Sequence, residues 1–323
     1  HDNMRPNISI CHALLIGSAF WLTAPARAAQ PTEPPLLSLS KDSAEKMPAR
    51  TGSRTTLLVP LPAEPAWQDM AFLAAIPATT VVNNGAPSLV ALDATGRLSP
   101  EIQDYLRRYR PDAVFLLGDA ADDLPIAGRT LSAIKAGSAD EAACALSAMC
   151  WRTSATAVIC PEGDYQAGLV AAPLAARLRA PLLFASTLGL SRSAAEELRR
   201  LKTRELIVVG ELAGGLPSLK QVTAQVTELA AARDVMTWAR NRGLSVAYLA
   251  ALNPLDRNKT VIKKLSLAGA LLAAGRGGLV APLPYEVRWK LPFNGVEMHG
   301  ELPAGLPQSE AKPKAGRISF GER

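Results

Sequence analysis

From Thr56 onward, short continuous apolar runs alternate with Ala- and Leu-rich amphipathic stretches. The runs are TLLVPL, SLVALD, DAVFLLG, TAVICP, PLLFAS, ELIVVG, SVAYLAAL and GLVAPL. A strand buried on both faces reads as a continuous apolar run, whereas a half-exposed strand alternates. These runs therefore predict parallel strands, and the helically spaced stretches between them predict helices packed over the sheet. The expected fold class is α/β, with parallel sheets covered by helices. Upstream, residues 31–55 are rich in Pro, Ser and charge without an apolar period, which is linker composition. Downstream, PYEVRWKLPFNGVEMHGELPAG alternates apolar and polar positions and predicts a β-type extension.

The pattern repeats along the chain. The stretch from Trp67, WQDMAFLAA, matches that from Tyr165, YQAGLVAAP. Each leads to a Pro-led strand (PSLVAL, PLLFAS), then a Leu-Ser start and a basic helix (LSPEIQDYLRRYRPD, LSRSAAEELRRLKTR), and each closes on a strand ending in glycine, Gly118 or Gly210. A partial third copy aligns AAPLAARLRAPLLFA with AGALLAAGRGGLVAP after the strand SVAYLAAL. The unit is a β-α-β-α-β module. Ser99 and Ser191 are expected N-caps, with Pro100 at the first helical position. Ala and Gly on each first helix suit a helix lying close on a parallel sheet, where small side chains let the backbones approach.

At these residues the sequence resembles the cell wall-binding repeat 2 family. The best match starts at Tyr165-Gln-Ala-Gly-Leu-Val-Ala-Ala-Pro-Leu-Ala and continues through Leu190-Ser191 to Ile207-Val-Val-Gly210. The resemblance spans residues 56–283. It implies three repeats in a pseudo-threefold arrangement and a secreted, non-catalytic region held without covalent bonds on an anionic or glycan polymer of the cell wall or envelope. The family's aspartate on the first helix stands here as Asp69, with Ala167 and Lys264 in its place in the second and third copies. The expected organisation is a signal peptide (1–28), a linker (29–55), a first repeat (56–150), a second (151–232), a partial third (233–284) and a β-type extension (285–323). The last of these ends in Gly316-Arg-Ile-Ser-Phe-Gly-Glu-Arg323, which reads as the opening strand of a further domain absent from this fragment.

The signal-peptide reading rests on Met4-Arg5, the mostly apolar stretch from Ile8 to Ala24, and Ala26-Arg27-Ala28 as a cleavage pattern. The competing reading is a membrane-anchoring helix. After cleavage no transmembrane span is expected, and the chain belongs outside the cytoplasm, secreted, in the envelope or in a periplasm. Cys144, Cys150 and Cys160 then remain; a buried or disulfide role is favoured over a catalytic thiol.

The 323 residues include only three histidines, His1, His12 and His299, which argues against zinc-protease and Ser-His-Asp chemistry. Neither a G-x-G-x-x-G nor a P-loop lysine accompanies the glycine clusters at 275–278 and 214–215, so no cofactor is expected, and no metal site. A net charge of +6 comes mainly from arginines that recur in successive copies. They either form a basic face for a polyanion or are solvated helix faces. Nucleic acid is a poor partner for a chain without a reader helix. Acidic residues recur where strands end. Asp164, Asp256 and Asp69 either contact a ligand or cap the next helix. Trp67 and Tyr165 hold equivalent places and either stack on a sugar or wedge between elements. The candidate ligand-binding set is Trp67, Asp69, Asp164, Tyr165, Asp256, Arg108, Arg200 and Lys264, with no catalytic residue assigned. The rival readings are an extracytoplasmic hydrolase using the carboxylate-rich edge and, more weakly, a two-lobed solute receptor.

Overall fold

The computed structural model describes residues 54–93, 98–118, 131–212, 216–223, 225–246, 248–258, 264–284, 287–290 and 297–300. The signal-peptide and linker segments, the acidic loop at 119–130 and the terminal Gly316–Arg323 lie outside these residues.

The first unit comprises β1 (Thr55–Pro60), α1 (Trp67–Val82), β2 (Leu89–Leu92), α2 (Pro100–Tyr109), β3 (Ala113–Leu117) and β4 (Leu131–Ile134). Helix α3 (Ala139–Cys150) leads to the second unit: β5 (Thr156–Pro161), α4 (Tyr165–Leu178), β6 (Leu182–Ala185), α5 (Arg192–Leu201), β7 (Glu205–Val209), α6 (Leu216–Val222) and β8 (Gln225–Leu229). Helix α7 (Ala232–Asn241) leads in the same way to β9 (Leu249–Leu252), a 3-10 turn (Pro254–Asn258), α8 (Leu265–Gly275) and β10 (Leu279–Pro282). A hairpin of β11 (Val287–Lys290) and β12 (Glu297–Gly300) follows.

The two complete units share one topology. Their sheets run β2-β1-β3-β4 and β6-β5-β7-β8, every pair parallel. The third unit repeats the first step only, β9 beside β10. Sequence reading found every strand but β4 and β8, which add a fourth strand at one edge. Their burial patterns, with two exposed residues in each, are those of edge strands, too polar to register as apolar runs.

Local chemistry sets the boundaries. Ser99 and Ser191 accept hydrogen bonds from Ile102 N (3.4 Å) and Ala194 N (3.0 Å), capping α2 and α5 as expected, with Pro100 at the first helical position. Gly210 turns the chain out of β7 at φ +93°, where an added Cβ would meet Ala167 Cβ at 2.8 Å and Pro161 Cδ at 3.1 Å.

The three first helices pack against one another. Gly168 of α4 lies so close to α1 that a Cβ would stand 2.8 Å from Leu73 Cδ1, and Gly269 of α8 sits directly on Leu252 of β9. One continuous core runs from Leu57 and Ile76 through Leu169 and Ile159 to Ala270 and Leu279, and a smaller one (Leu58, Leu106, Leu116) lies under α2. Each fully buried Leu or Ile contributes roughly 1.5–3 kcal/mol relative to exposure. Cys144, Cys150 and Cys160 are free. Among the described residues no helix is long and apolar enough to cross a membrane.

Candidate functional site

Because every strand is parallel and each helix returns to the next strand, helices begin at the carboxyl edge of the sheets and end at the amino edge. The candidate residues divide between these two ends.

At the carboxyl end, the N-termini of α1, α4 and α8 meet in one hydrogen-bonded network. Asp69, fully buried in the first turn of α1, accepts from the Ala66 N–H (3.2 Å), closing the start of its own helix. Its Oδ1 accepts from Lys264 Nζ (2.6 Å) and its Oδ2 from Arg257 Nε (2.9 Å). Lys264 also donates to the Pro62 and Glu64 carbonyls (2.8 and 2.9 Å), which satisfies all three of its N–H groups. It caps α8 in a left-handed conformation (φ +55°), unusual for a residue with a Cβ. The Arg257 guanidinium reaches the Ala66 carbonyl (3.3 Å) and lies over the Tyr165 ring, 5.0 Å from its centroid. Ser266 donates from its hydroxyl and its N–H to the two oxygens of Asp256 (2.5 and 2.6 Å). With its own hydrogen spent, that hydroxyl accepts from the Tyr165 phenol (2.7 Å).

Asp69 thus pairs directly with both cations, while Asp256 joins the network through Ser266 and Tyr165, and the four formal charges sum to zero. Removal from water raises the Asp256 carboxyl above the ordinary carboxylate value; the two Ser266 bonds and the Lys264 charge oppose this, and the Asp69 charge adds to it. Burial, and secondarily the Asp256 charge, holds the Tyr165 phenol protonated well above its usual range.

Of the eight candidates, this end brings together Asp69, Tyr165, Asp256 and Lys264. Trp67 is half-buried against the core at the start of α1. Asp164 is the N-cap of α4, its Oδ1 accepting from Ala167 N (2.9 Å). Arg257 and Ser266 were not singled out in the sequence. Arg257 follows Asp256 in a short acidic-basic loop and was visible in principle, while a lone serine carries no signal. A shallow cleft of about 200 Å³ opens where β7 ends, between Gly210, Leu212 and Leu216, with Glu211 and Glu228 at its lining. The mutually interacting carboxylates, Asp69 and Asp256, lie outside that lining, the first paired with Lys264 and Arg257 and the second with Ser266. Among the described residues no three His, Cys, Asp or Glu side chains gather as metal ligands.

Arg108 and Arg200 lie at the opposite, amino end. Arg108 is well exposed and pairs with Asp104 (2.8 Å). Arg200 forks onto Glu197 (2.6 Å to each oxygen) and donates to the Trp151 carbonyl (2.9 Å), fastening α5 to the chain entering β5. Also at this end, Arg110 and Arg179 occupy the left-handed caps of α2 and α4, and Arg276 caps α8; all three side chains are exposed. Cations there complement the negative ends of the helix dipoles. Arg177 bridges units, donating to the Ser245 carbonyl (2.9 Å).

No family model matches the sequence, and no curated protein does either. Among solved structures the fold is similar to Cwp6 from Clostridium difficile, with a TM-score of 0.58 at 12% identity, over 72% of this chain and 38% of that one. Cwp8 from Clostridium difficile aligns with a TM-score of 0.47 at 14% identity, over 72% of this chain and 40% of that one. The chain thus spans about two fifths of the length of the solved proteins it matches.

Proposed function

We propose that the chain is a cell wall- or envelope-associated, non-catalytic binding region that holds an anionic polymer at its amino end. The observation that carries this reading is the placement of exposed arginine at the same end of all three units: Arg110, Arg179 and Arg276, with Arg108 beside them. Such an array raises the local concentration of a polyanion, and its contribution falls as salt screens it. The fold is shared with Cwp6, a cell wall protein, and the repeats resemble those of wall-binding regions, which supports the same location. In this reading Asp69, Tyr165, Asp256 and Lys264 act indirectly, by fixing the units relative to one another. The test is retention on isolated envelope fragments after Arg110, Arg179 and Arg276 are each changed to Glu. The triple variant should bind roughly tenfold more weakly at low salt while keeping its circular dichroism. Unchanged retention would remove the electrostatic basis.

A further inference from the structure

One large apolar side chain projects almost wholly into solvent. Among the described residues Leu188 is 92% exposed, and the next such side chain, Leu272, is 50% exposed. Leu188 sits at the tip of the turn at 186–189, which follows β6 at the carboxyl edge of the second sheet. Backbone bonds in both directions between Ser186 and Gly189 (2.9 and 3.0 Å) close the turn. The Ser186 hydroxyl braces it, donating to the Gly189 carbonyl (3.1 Å) and accepting from the Leu188 N–H (3.2 Å). The leucine is therefore held out on a fixed support, so docking it needs little further backbone ordering.

The turn has a neighbour of complementary form. The Leu190 N–H donates to Ser218 Oγ of α6 (3.4 Å), which sets α6 beside the turn. Leu216 of α6 in turn lines the cleft of about 200 Å³ at the end of β7, together with buried Val208 and Leu212 and exposed Glu211 and Glu228. Turn and cleft thus lie side by side at one edge of the second unit. Arg192 opens α5 four residues after Leu188, and its side chain is 93% exposed. Its bond to Glu196 (2.8 Å) is a surface pair within one helix, which holds it weakly. A leucine and an arginine project here, and an apolar cleft with two glutamates is open beside them.

We infer that this face pairs with the same face of a second copy about a two-fold axis. Leu188 of each copy enters the cleft of the other, and Arg192 of each meets Glu211 and Glu228. A two-fold contact needs both halves of a complementary pair on one surface, and both are present here. Burial of the wet leucine supplies the apolar centre of the contact, and the opposed charges fix its register. The arginine-bearing amino end lies opposite this face, so each copy keeps it open. On the function proposed above, the pair holds a polymer at two places.

Sedimentation velocity of the full chain, carried up to about 0.1 mM, should show a monomer–dimer equilibrium. Leu188→Asp changes a side chain with almost no contacts in the single chain, so it should keep its circular dichroism and weaken the dimer at least about tenfold. Arg192→Glu should weaken the dimer as well, and adding Glu211→Arg and Glu228→Arg to that variant should restore it. A chain that stays monomeric throughout, a dimer indifferent to Leu188→Asp, or a charge reversal that restores nothing each overturns the pairing. These measurements contain no polymer, so their failure is distinct from failure of the envelope-binding reading.

Discussion

Lys264, at the entrance to α8, donates to Asp69 in the first turn of α1 across 2.6 Å, and both side chains are shut away from water. The aligned sequences set the two residues at one repeat position, but in the structure Asp69 is the third residue of α1 and Lys264 is the N-cap of α8. The opposite charge in the third copy is the complement of the aspartate in the first. A buried pair adds little over a well-packed apolar pair, but stranding one partner is expensive, at about 3–5 kcal/mol. Asp69→Ala would strand Lys264 and loosen Arg257 and the Ala66 N–H, so it should lower unfolding stability by about that amount. Lys264→Met leaves Asp69 with Arg257 and should cost less. The double variant Asp69→Leu/Lys264→Met should be more stable than Asp69→Ala alone, as read from urea midpoints.

Asp256 makes stability depend on pH in an unusual direction for a carboxylate. Its folded value is raised, so the folded state holds this proton to higher pH than the unfolded chain does. Its contribution is therefore present below the ordinary value, about 3.9, and is lost as pH rises through the raised one. Against Asp256→Asn, which does not titrate, the parent chain should lose relative stability as pH rises above about 4. Paired urea titrations across that range check the sign; a relative gain would contradict it.

Two glycines with similar backbones should respond differently to alanine. Gly118 (φ +102°) has nothing within 4 Å of an added Cβ, while at Gly210 (φ +93°) that Cβ meets Ala167 and Pro161. Gly118→Ala should cost about 1–2 kcal/mol for the left-handed backbone alone. Gly210→Ala adds a clash with the Ala167 methyl and the Pro161 ring and should cost at least about 1 kcal/mol more. Thermal midpoints of the two variants give the comparison.

Burial pushes the Cys144 and Cys150 thiols up to about 12, and Cys160 well above its usual value. Because the thiolate is the reactive species, all three should react slowly with a disulfide reagent at neutral pH and rapidly once urea unfolds the chain. Peptide mapping of the labelled sites separates these three from Cys11.

The strands and first helices were legible because a doubly covered parallel strand leaves an unbroken apolar run, and Leu57–Val59 or Ile207–Val209 have no other use. The carboxyl-edge candidates were legible as a set but not in their role. Asp69, Tyr165 and Lys264 were found through their repeat positions, yet nothing local tells that Lys264 Nζ folds onto Asp69, since that contact spans the first and third units. Arg257 and Ser266 were missed for the same reason. Their partners are long-range, and their residue types are common in any loop. The arginines were read as one group, whereas the helix direction places them at the end opposite the acidic residues, a fact that only strand polarity supplies.

The most direct test of the account is cosedimentation of the full chain with isolated cell-envelope fragments at low ionic strength and again near 1 M salt. Pelleting at low ionic strength and release at high salt is the outcome predicted for an arginine-bearing face on an anionic polymer. A chain that stays in the supernatant at low ionic strength, while folded, would contradict it.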